Sequence, residues 1–188
     1  MDRTTSTRYS RKPRGNSLTE VLVALAVLAI LATMALPSWR SHLLQKRLEA
    51  AAETYRQHFQ WARSHAIRSG QAVRILFGRD ANGSCYVVFT GPDAACDCSA
   101  GTTKCNAPAR LLASEYLPTA EGVAVQPKGS TKRLLVDPLR GTVTPAMTAV
   151  FSTPDGRTLH EVVNLLGRGH GCSPQGDAPG WPTCKTSG

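Results

Sequence analysis

Apolar residues follow three different patterns along the chain. A run without any charge extends from residue 21 to residue 36. A spacing of three to four residues follows it, and after Gly70 the pattern changes to short alternating segments. These patterns are typical of a membrane or buried helix, an amphipathic helix and β-strands, respectively. The sequence therefore predicts an α+β fold in which a long N-terminal helix precedes a strand-rich domain.

The uncharged run is close to the length that a lipid bilayer requires. It holds sixteen residues, and the residues on either side bring it near the ~20 that cross a membrane as a helix. Glu20 is the one carboxylate within this longer segment. An ionisable group is costly in lipid, so it is functional until shown otherwise. We predict a transmembrane segment at residues 16–37, with Glu20 as a functional residue.

The second pattern predicts that the helix continues beyond the membrane. Seven apolar residues recur on one helical face: Leu44, Leu48, Ala51, Tyr55, Phe59, Ala62 and Ala66. Ser69 and Gly70 provide an end signal, because glycine adopts the left-handed conformation that closes many helices. We therefore predict one helix over about residues 16–69, bent at Pro37 where an amide hydrogen is missing. Its amphipathic half occupies residues 38–70.

The segments after Gly70 are short, and proline, glycine and aspartate separate them. This is typical of antiparallel sheets or a small sandwich. Asp80-Ala81-Asn82-Gly83 is a hairpin-turn signal between the first two segments. The predicted strands are residues 73–77, 85–89, 110–112, 123–126, 133–136, 142–143, 149–152 and 158–166.

Charge gives the chain an orientation. Residues 1–15 carry five basic residues against one aspartate, whereas the whole chain has a net charge of +9. A basic flank stays on the cytoplasmic side of a membrane, so the remainder is expected to be exported. The leader supplies almost half of the net charge, which weakens the argument for a polyanionic partner. An ordinary secretory signal peptide is the alternative reading of the N-terminus.

Six cysteines in an exported chain favour disulfides over free thiols. Cys172 and Cys184 bracket a tail rich in proline and glycine, which a bridge would order. The remaining four allow three pairings. We expect two bridges, which tie the loop at residues 91–107 to itself and to Cys85. These four are Cys85, Cys96, Cys98 and Cys105.

The alternative for the same cysteines is a zinc site, because a C-x-C…C cluster can bind metal. The spacing matches no standard zinc finger, so we predict no metal and no cofactor. Nor do the histidines form an H-x-x-x-H pattern, and no phosphate-binding glycine loop follows a strand. His42, His58 and His65 are expected on the helix surface, and we predict that the protein is not an enzyme.

The stretch Gly15-Asn16-Ser17-Leu18-Thr19-Glu20 resembles the processing signal of type IV prepilins and pseudopilins. The resemblance implies that a prepilin peptidase cuts after Gly15 and that Asn16 becomes the methylated terminus. It also implies that Glu20 pairs with the terminal amine of a neighbouring subunit, and that Pro37 is the helix-kinking proline. Asn16 departs from the usual phenylalanine. A capping box between Ser17 and Glu20 is the local alternative.

Three further segments are similar to H-type minor pseudopilins and the related FimT and FimU minor pilins (the GspH/FimT type). They are residues 61–73, 151–157 and 164–168. The resemblance implies a pilin-like fold, with a cytoplasmic leader at 1–15 and a periplasmic β-rich domain at 71–188. It implies a non-enzymatic subunit of a type II secretion or type IV pilus filament, acting in filament assembly and protein secretion. The expected partners are other pilins through the N-terminal helix, prepilin peptidase and the inner membrane.

DNA is the alternative partner. FimT-like members carry a G-R-x-R tail motif implicated in DNA capture during transformation, and here Arg168 matches its first arginine while His170 replaces the second. With Lys185, these residues would contact phosphates in a pilus-associated DNA receptor. The plain structural reading is a solvated loop between the last strand and a disulfide.

Overall fold

The structure, a computed structural model, describes residues 17–99, 101–176 and 178–185, and of residues 34–38 it describes the backbone alone. Within these residues the chain forms one long helix, α1 (Leu18–Ser69), one 3₁₀ turn (Thr119–Glu121) and eleven strands. The strands are β1 (Val73–Arg79), β2 (Gly83–Thr90), β3 (Cys96–Asp97), β4 (Lys104–Cys105), β5 (Arg110–Pro118), β6 (Ala124–Pro127), β7 (Arg133–Val136), β8 (Val143–Thr144), β9 (Met147–Ser152), β10 (Thr158–Val163) and β11 (Gly169–Cys172).

The chain divides into two compact units, Met1–Ser41 and His42–Gly188. In the first unit, every side chain from residue 17 to residue 33 is exposed. Among the described residues, no helix is long and apolar enough to cross a membrane. The span predicted at residues 16–37 includes Asn16 and the side chain of Pro37, which lie outside the described part of the chain, as do the leader and Gly15.

In the second unit, α1 buries the predicted apolar stripe. Its fully buried residues are Leu48, Ala52, Tyr55, Phe59, Ala62 and Ala66. Leu44 and Ala51 of the predicted stripe are half-buried and pack against the same core, while Ala52, which was not predicted, is fully buried. The predicted end signal is confirmed: Gly70 has φ +65° and its N–H donates to the carbonyl of Ala66 at 3.0 Å.

The strands form two larger sheets and one ribbon, all antiparallel. The five-stranded sheet has the order β5-β2-β1-β7-β8, the four-stranded sheet has the order β11-β10-β9-β6, and β3 pairs with β4. The predicted β1–β2 turn is present. The Asp80 carboxylate accepts the N–H groups of Asn82 at 2.8 Å and Gly83 at 2.7 Å. The α+β fold with a long N-terminal helix and small antiparallel sheets is therefore confirmed.

The strand predictions were wrong at one end of β5, which continues to Pro118 rather than ending at residue 112, and at one end of β10, which stops at Val163 rather than at residue 166. The chain turns there because the N–H of Gly167 donates to the carbonyl of Asn164 at 2.9 Å. Three strands were also missed. β3 and β4 have two residues each, and β11 is half glycine, so none shows an alternating pattern.

Tyr55 joins the helix to both larger sheets. Its ring centroid lies 5.8 Å from that of Phe77 and 5.1 Å from that of Tyr86, which belong to the five-stranded sheet. It also lies 5.8 Å from Phe151 of the four-stranded sheet. Aromatic pairs at these separations contribute beyond their buried area. One helical residue therefore lies at the junction of three elements.

Strand β2 is buried along its entire length, on both faces. Side chains of a strand point alternately to opposite faces. Tyr86 and Val88 belong to the core beneath α1. Val87 and Phe89 belong to a second apolar cluster, which contains Cys85, Cys96 and Cys98. The loop after β2 therefore covers the face of the sheet that α1 does not reach.

Cys96 and Cys105 form a disulfide across the β3–β4 ribbon. We predict that replacing both by alanine lowers the free energy of unfolding by about 2–4 kcal/mol, since the bridge restricts the unfolded loop. Urea unfolding followed by tryptophan fluorescence measures this loss. Lys104→Ala, in the same ribbon and exposed, is the control and should stay within about 0.5 kcal/mol of the parent. Equal stability of the double variant and the parent would mean that packing alone holds the loop.

Candidate functional site

All six cysteines form disulfides. The bonds are Cys85–Cys98, Cys96–Cys105 and Cys172–Cys184, and no cysteine is free. One bond therefore closes the loop after β2 on itself and another ties it to β2. A zinc site at the Cys96 cluster is wrong for this structure, because its thiolates are consumed. His160 lies near the sulfurs of the Cys172–Cys184 bond, with all ligand atoms within 4.8 Å, but those sulfurs are likewise bonded to each other.

The start of α1 lacks the capping box that was the local alternative for Glu20. The carbonyl of Ser17 accepts the N–H groups of Glu20 at 3.0 Å and Val21 at 3.2 Å. The Ser17 hydroxyl is instead within 2.9 Å of the Thr19 hydroxyl. Glu20 is exposed, and no other described residue forms a hydrogen bond or ion pair with its carboxylate. The local partner expected for this carboxylate is thus absent from the described residues.

A buried ion pair fixes the C-terminal tail to α1. Arg56 donates through Nη2 to Oε1 of Glu161 at 2.7 Å and through Nε to Oε2 at 3.3 Å. The Glu161 side chain is only 2% exposed. The guanidinium also lies 5.0 Å from the ring centroid of Trp181 in the tail, and Nη1 is 3.0 Å from Glu53. One arginine on α1 thereby contacts β10 and the tail together.

Burial and charge act on Glu161 in opposite directions. Burial raises the pKa of the Glu161 carboxyl, while the hydrogen bond and charge of Arg56 oppose this rise; the net pKa is above the ordinary value. The hydrogen bond to Glu161 raises the pKa of Arg56. The carboxylate therefore depends on Arg56 to remain ionised inside the protein.

Glycine is required at one position beside this pair. A Cβ added at Gly171 would lie 2.1 Å from Trp181, 2.2 Å from Arg56 and 2.5 Å from Glu161. The bridge to Cys184 and the hydrogen bond from the Ser173 N–H to the Pro182 carbonyl, at 2.9 Å, hold the tail over this strand.

A cleft of about 450 Å³ opens beside the ion pair. It is lined by Glu53, Arg56, Gly169, His170, Gly180 and Trp181, among others. Both signs of charge face it, and Arg56 is already engaged by two carboxylates. The arrangement therefore serves to hold the tail, and nothing in it forms a pair of catalytic groups.

The three residues predicted to contact DNA occupy different settings. Arg168 lies in the turn between β10 and β11, where its N–H donates to the Asn164 side chain at 2.9 Å. His170 lies in the cleft beside Arg56, and Lys185 follows the last disulfide. No hydrogen bond or shared cleft among the described residues brings the three together, and the DNA contact stays a prediction.

Sequence reasoning missed the residues that flank the stripe of α1. His58 was expected on the surface, yet it is half-buried with Nδ1 2.8 Å from the Tyr86 hydroxyl. Arg56 and Arg63 lie off the predicted apolar stripe, yet both bind the strand domain. Arg63 donates to the carbonyl of Gly141 at 2.9 Å. Glu161 could have been identified from the sequence as a buried charge. It occupies an inward-facing position of β10, between two apolar residues that face inward as well.

Two family models match the chain. The model for the type II transport protein GspH matches residues 51–167, and the model for the prokaryotic N-terminal methylation motif matches residues 10–36. The first spans the last part of α1 and the strand domain up to the turn after β10, while the second spans the end of the leader and the apolar start of α1. No curated protein matches the chain.

The chain belongs to the GspH family of type II transport proteins. It is accordingly a minor pilin or pseudopilin of the GspH/FimT type, from a type II secretion or type IV pilus system. Members of these families are structural subunits.

Solved structures with a similar fold include the type IV minor pilin FimU of Pseudomonas aeruginosa. It has 21% identity and a TM-score of 0.49, and the match covers 72% of this chain and 95% of that one. The minor pseudopilin EpsH from the type 2 secretion system of Vibrio cholerae has 16% identity and a TM-score of 0.45. That match covers 67% of this chain and 96% of that one.

We predict that Arg56→Ala lowers the free energy of unfolding by about 3–5 kcal/mol near neutral pH, because it leaves a buried carboxylate without a counter-charge. The raised pKa of Glu161 fixes the sign of the pH dependence. A carboxyl whose pKa is higher in the folded state than in the unfolded state lowers the free energy of unfolding at pH values above that pKa. The loss becomes smaller as the pH falls and the carboxyl gains a proton. Losing Arg56 raises the pKa further, so the destabilisation should shrink from about pH 7 to about pH 5.

Urea unfolding at the two pH values measures this difference. Arg68→Ala, exposed and paired with no carboxylate among the described residues, is the control. Adding Glu161→Gln to Arg56→Ala should remove the pH dependence caused by the pair. If Arg56→Ala lowered the free energy of unfolding equally at both pH values, the role of Arg56 as the counter-charge of Glu161 would be contradicted.

Proposed function

We propose that this chain is made as a precursor, processed after Gly15 and methylated at Asn16, and then built into a filament through α1. In this proposal a prepilin peptidase removes residues 1–15 on the cytoplasmic side of the inner membrane. The apolar part of α1 holds the subunit in that membrane until assembly, with the strand domain in the periplasm. The match to the N-terminal methylation motif supports the processing step.

The observation that carries the proposal is the exposure of the apolar half of α1. Leucine, valine and isoleucine side chains from Leu18 to Leu31 are between 46% and 78% exposed. So much apolar surface along one helix requires an apolar environment from outside the chain. Lipid supplies it before assembly and neighbouring helices supply it in a filament. The same surface serves both stages.

Glu20 is the one charge within this apolar half. Its carboxylate has no hydrogen-bond or ion-pair partner among the described residues, and the capping box that would have satisfied it locally is not formed. A carboxylate in an apolar environment strongly favours a counter-charge. The methylated terminal amine of a neighbouring subunit provides one. We propose that this pair sets the axial register between subunits.

The first test concerns processing. We expect Gly15→Val to leave the leader attached, because a bulky side chain blocks the peptidase at the residue before the cut. Intact-mass measurement of the membrane-purified protein distinguishes the two forms by the mass of residues 1–15. Pro13→Ala, two residues away, is the matched control and should be processed. Removal of the leader from Gly15→Val at the normal rate would rule out this cleavage site.

The second test concerns assembly. We expect Glu20→Ala to be inserted, processed and folded, yet to co-purify with the other filament subunits at about a tenth of the parent level or less. The reason is that pairing a charge in lipid strengthens the association of subunits by more than one factor of ten. Thr19→Ala changes the adjacent exposed residue and serves as the control. Formation of the three disulfides reports folding. Normal co-purification of Glu20→Ala would remove the assembly role of this carboxylate.

A further inference from the structure

Exposed apolar side chains of the strand domain gather near the C-terminal end of α1. Seven described side chains of the second unit are large, apolar and exposed, and four of them share this region. Together with three arginines they form what we call the leucine–arginine patch: Ile67, Leu139, Leu165, Leu166, Arg63, Arg140 and Arg168. Leu139 is 88% exposed, Leu165 59% and Leu166 60%.

A tight turn presents two of these leucines. In the connection from β10 to β11, the N–H of Asn164 donates to the Arg168 carbonyl at 3.1 Å, and the N–H of Gly167 donates to the Asn164 carbonyl at 2.9 Å. Gly167 has φ +71°. The centre of such a turn usually carries polar residues, glycine or proline. Here it carries Leu165 and Leu166, and neither is needed by the core.

A second tight turn presents Leu139. One Asp137 carboxylate oxygen accepts the N–H groups of Leu139 and Arg140, each at 2.9 Å. The N–H of Gly141 donates to the Asp137 carbonyl at 2.9 Å, and the N–H of Asp137 donates to the Thr142 carbonyl at 2.8 Å. The hydrogen bonds fix the turn, so its exposed leucine loses little freedom on binding.

The two turns and α1 form one rigid surface. The N–H of Val143 donates to the carbonyl of Leu165 at 3.0 Å, which joins the turns. Arg63 donates to the carbonyl of Gly141 at 2.9 Å. A Cβ added at Gly167 would lie 2.2 Å from that same carbonyl oxygen, and one added at Gly141 would lie 2.8 Å from Ile67. The close approach of these three elements leaves room only for glycine.

The charge of the patch is uncompensated. Four other arginines of the second unit, Arg56, Arg74, Arg133 and Arg157, have a carboxylate within 4.0 Å. Its remaining arginines outside the patch have none among the described residues. Among the described residues, none of Arg63, Arg140 and Arg168 has such a partner. The two turns and residues 63–69 of α1 contain one carboxylate, that of Asp137, and one of its oxygens accepts two backbone N–H groups. The patch therefore offers exposed leucines beside unpaired guanidinium groups.

We propose that the leucine–arginine patch is a docking surface for a different pilin-like subunit of the same filament, one that presents carboxylates around an apolar depression. Arginine and apolar side chains are enriched at the centres of protein interfaces, and a guanidinium matches a carboxylate bidentately. A second copy of this chain fits less well, because it has an excess of positive charge (net +9) and five of its carboxylates are already paired internally. This inference rests on the proposed filament role and adds the partner's chemistry.

Two other classes of partner fit the patch less well. Membrane-surface binding favours aromatic side chains and an amphipathic helix, whereas two turns supply most of the patch and none of its residues is aromatic. Nucleic-acid binding needs several cations along a groove, often with aromatic stacking. Exposed leucines gain nothing from phosphates. Both classes are nevertheless outcomes that the test distinguishes.

Photocrosslinking in cells that assemble the filament tests the docking surface. A benzophenone amino acid replaces Leu165 in the full chain, and in a second strain it replaces Leu111. Leu111 is the matched control, since it is 46% exposed and follows an arginine but lies at the start of β5. Mass spectrometry identifies the adduct and the attached peptide. We expect position 165, and not 111, to yield a discrete adduct with another pilin-like subunit, next to aspartate or glutamate.

Charge reversal then tests the chemistry of the contact. Arg168→Glu should lower the adduct yield at position 165 about tenfold or more, because like charges across an interface are strongly unfavourable. Arg110→Glu should leave the yield unchanged. Replacing the crosslinked carboxylate of the partner by lysine should restore the yield in the Arg168→Glu background. A restored adduct yield would show that Arg168→Glu had removed the contact between the subunits and had not unfolded the protein.

Several results would overturn the proposal: adducts to lipid or DNA in place of protein, equal yields at positions 165 and 111, no adduct at position 165, or insensitivity to Arg168→Glu. The same mass spectra report whether the leader has been removed. A processed, filament-incorporated protein that fails to crosslink refutes the docking surface alone. An unprocessed protein refutes the proposed function instead.

Discussion

Burial of one helical stripe against two sheets is the interaction on which the strand domain depends. The five-stranded and four-stranded sheets have no strand in common. Tyr55 touches aromatic residues from both, and the alanines of the stripe let the helix approach closely. Apolar burial is the dominant favourable contribution to folding. The helix thus completes a core that neither sheet encloses by itself.

Two arginines of α1 contact the strand domain with different consequences. Arg56 lies against a buried carboxylate and an indole, so its charge is balanced inside the protein. Arg63 also lies against the domain, but a backbone carbonyl is its acceptor, and its positive charge remains unbalanced. The first arrangement fixes the tail. The second leaves a positive potential at the end of the helix, beside the exposed leucines of the two turns.

The fold was largely predictable because its main signals are local. The apolar stripe, Gly70 and the Asp80 turn each depend on residues within a few positions of one another. β10 was predicted too long because Leu165 and Leu166 continue an apolar pattern, whereas their exposure is decided by turn hydrogen bonds of Asn164 and Gly167. Apolarity alone does not separate a buried strand residue from an exposed turn residue.

The sites were less predictable because they depend on contacts between distant residues. Arg56 and Glu161 are separated by 105 positions, and nothing near Arg56 in the sequence identifies its partner. The cysteine pairings likewise could not be predicted without the strand register, which places Cys96 of β3 opposite Cys105 of β4. The N-terminal motif was readable from sequence, since its residues are contiguous.

The double burial of β2 has a consequence for how sequences of this family can diverge. Val87 and Phe89 are apolar because the bridged loop shields them from water. A relative that lacks the loop and its cysteines would expose the corresponding positions, and polar residues would then be favoured there. Gain or loss of the bridges and the polarity of alternate β2 positions should therefore change together. On this strand, the disulfides determine which amino acids evolution can accept.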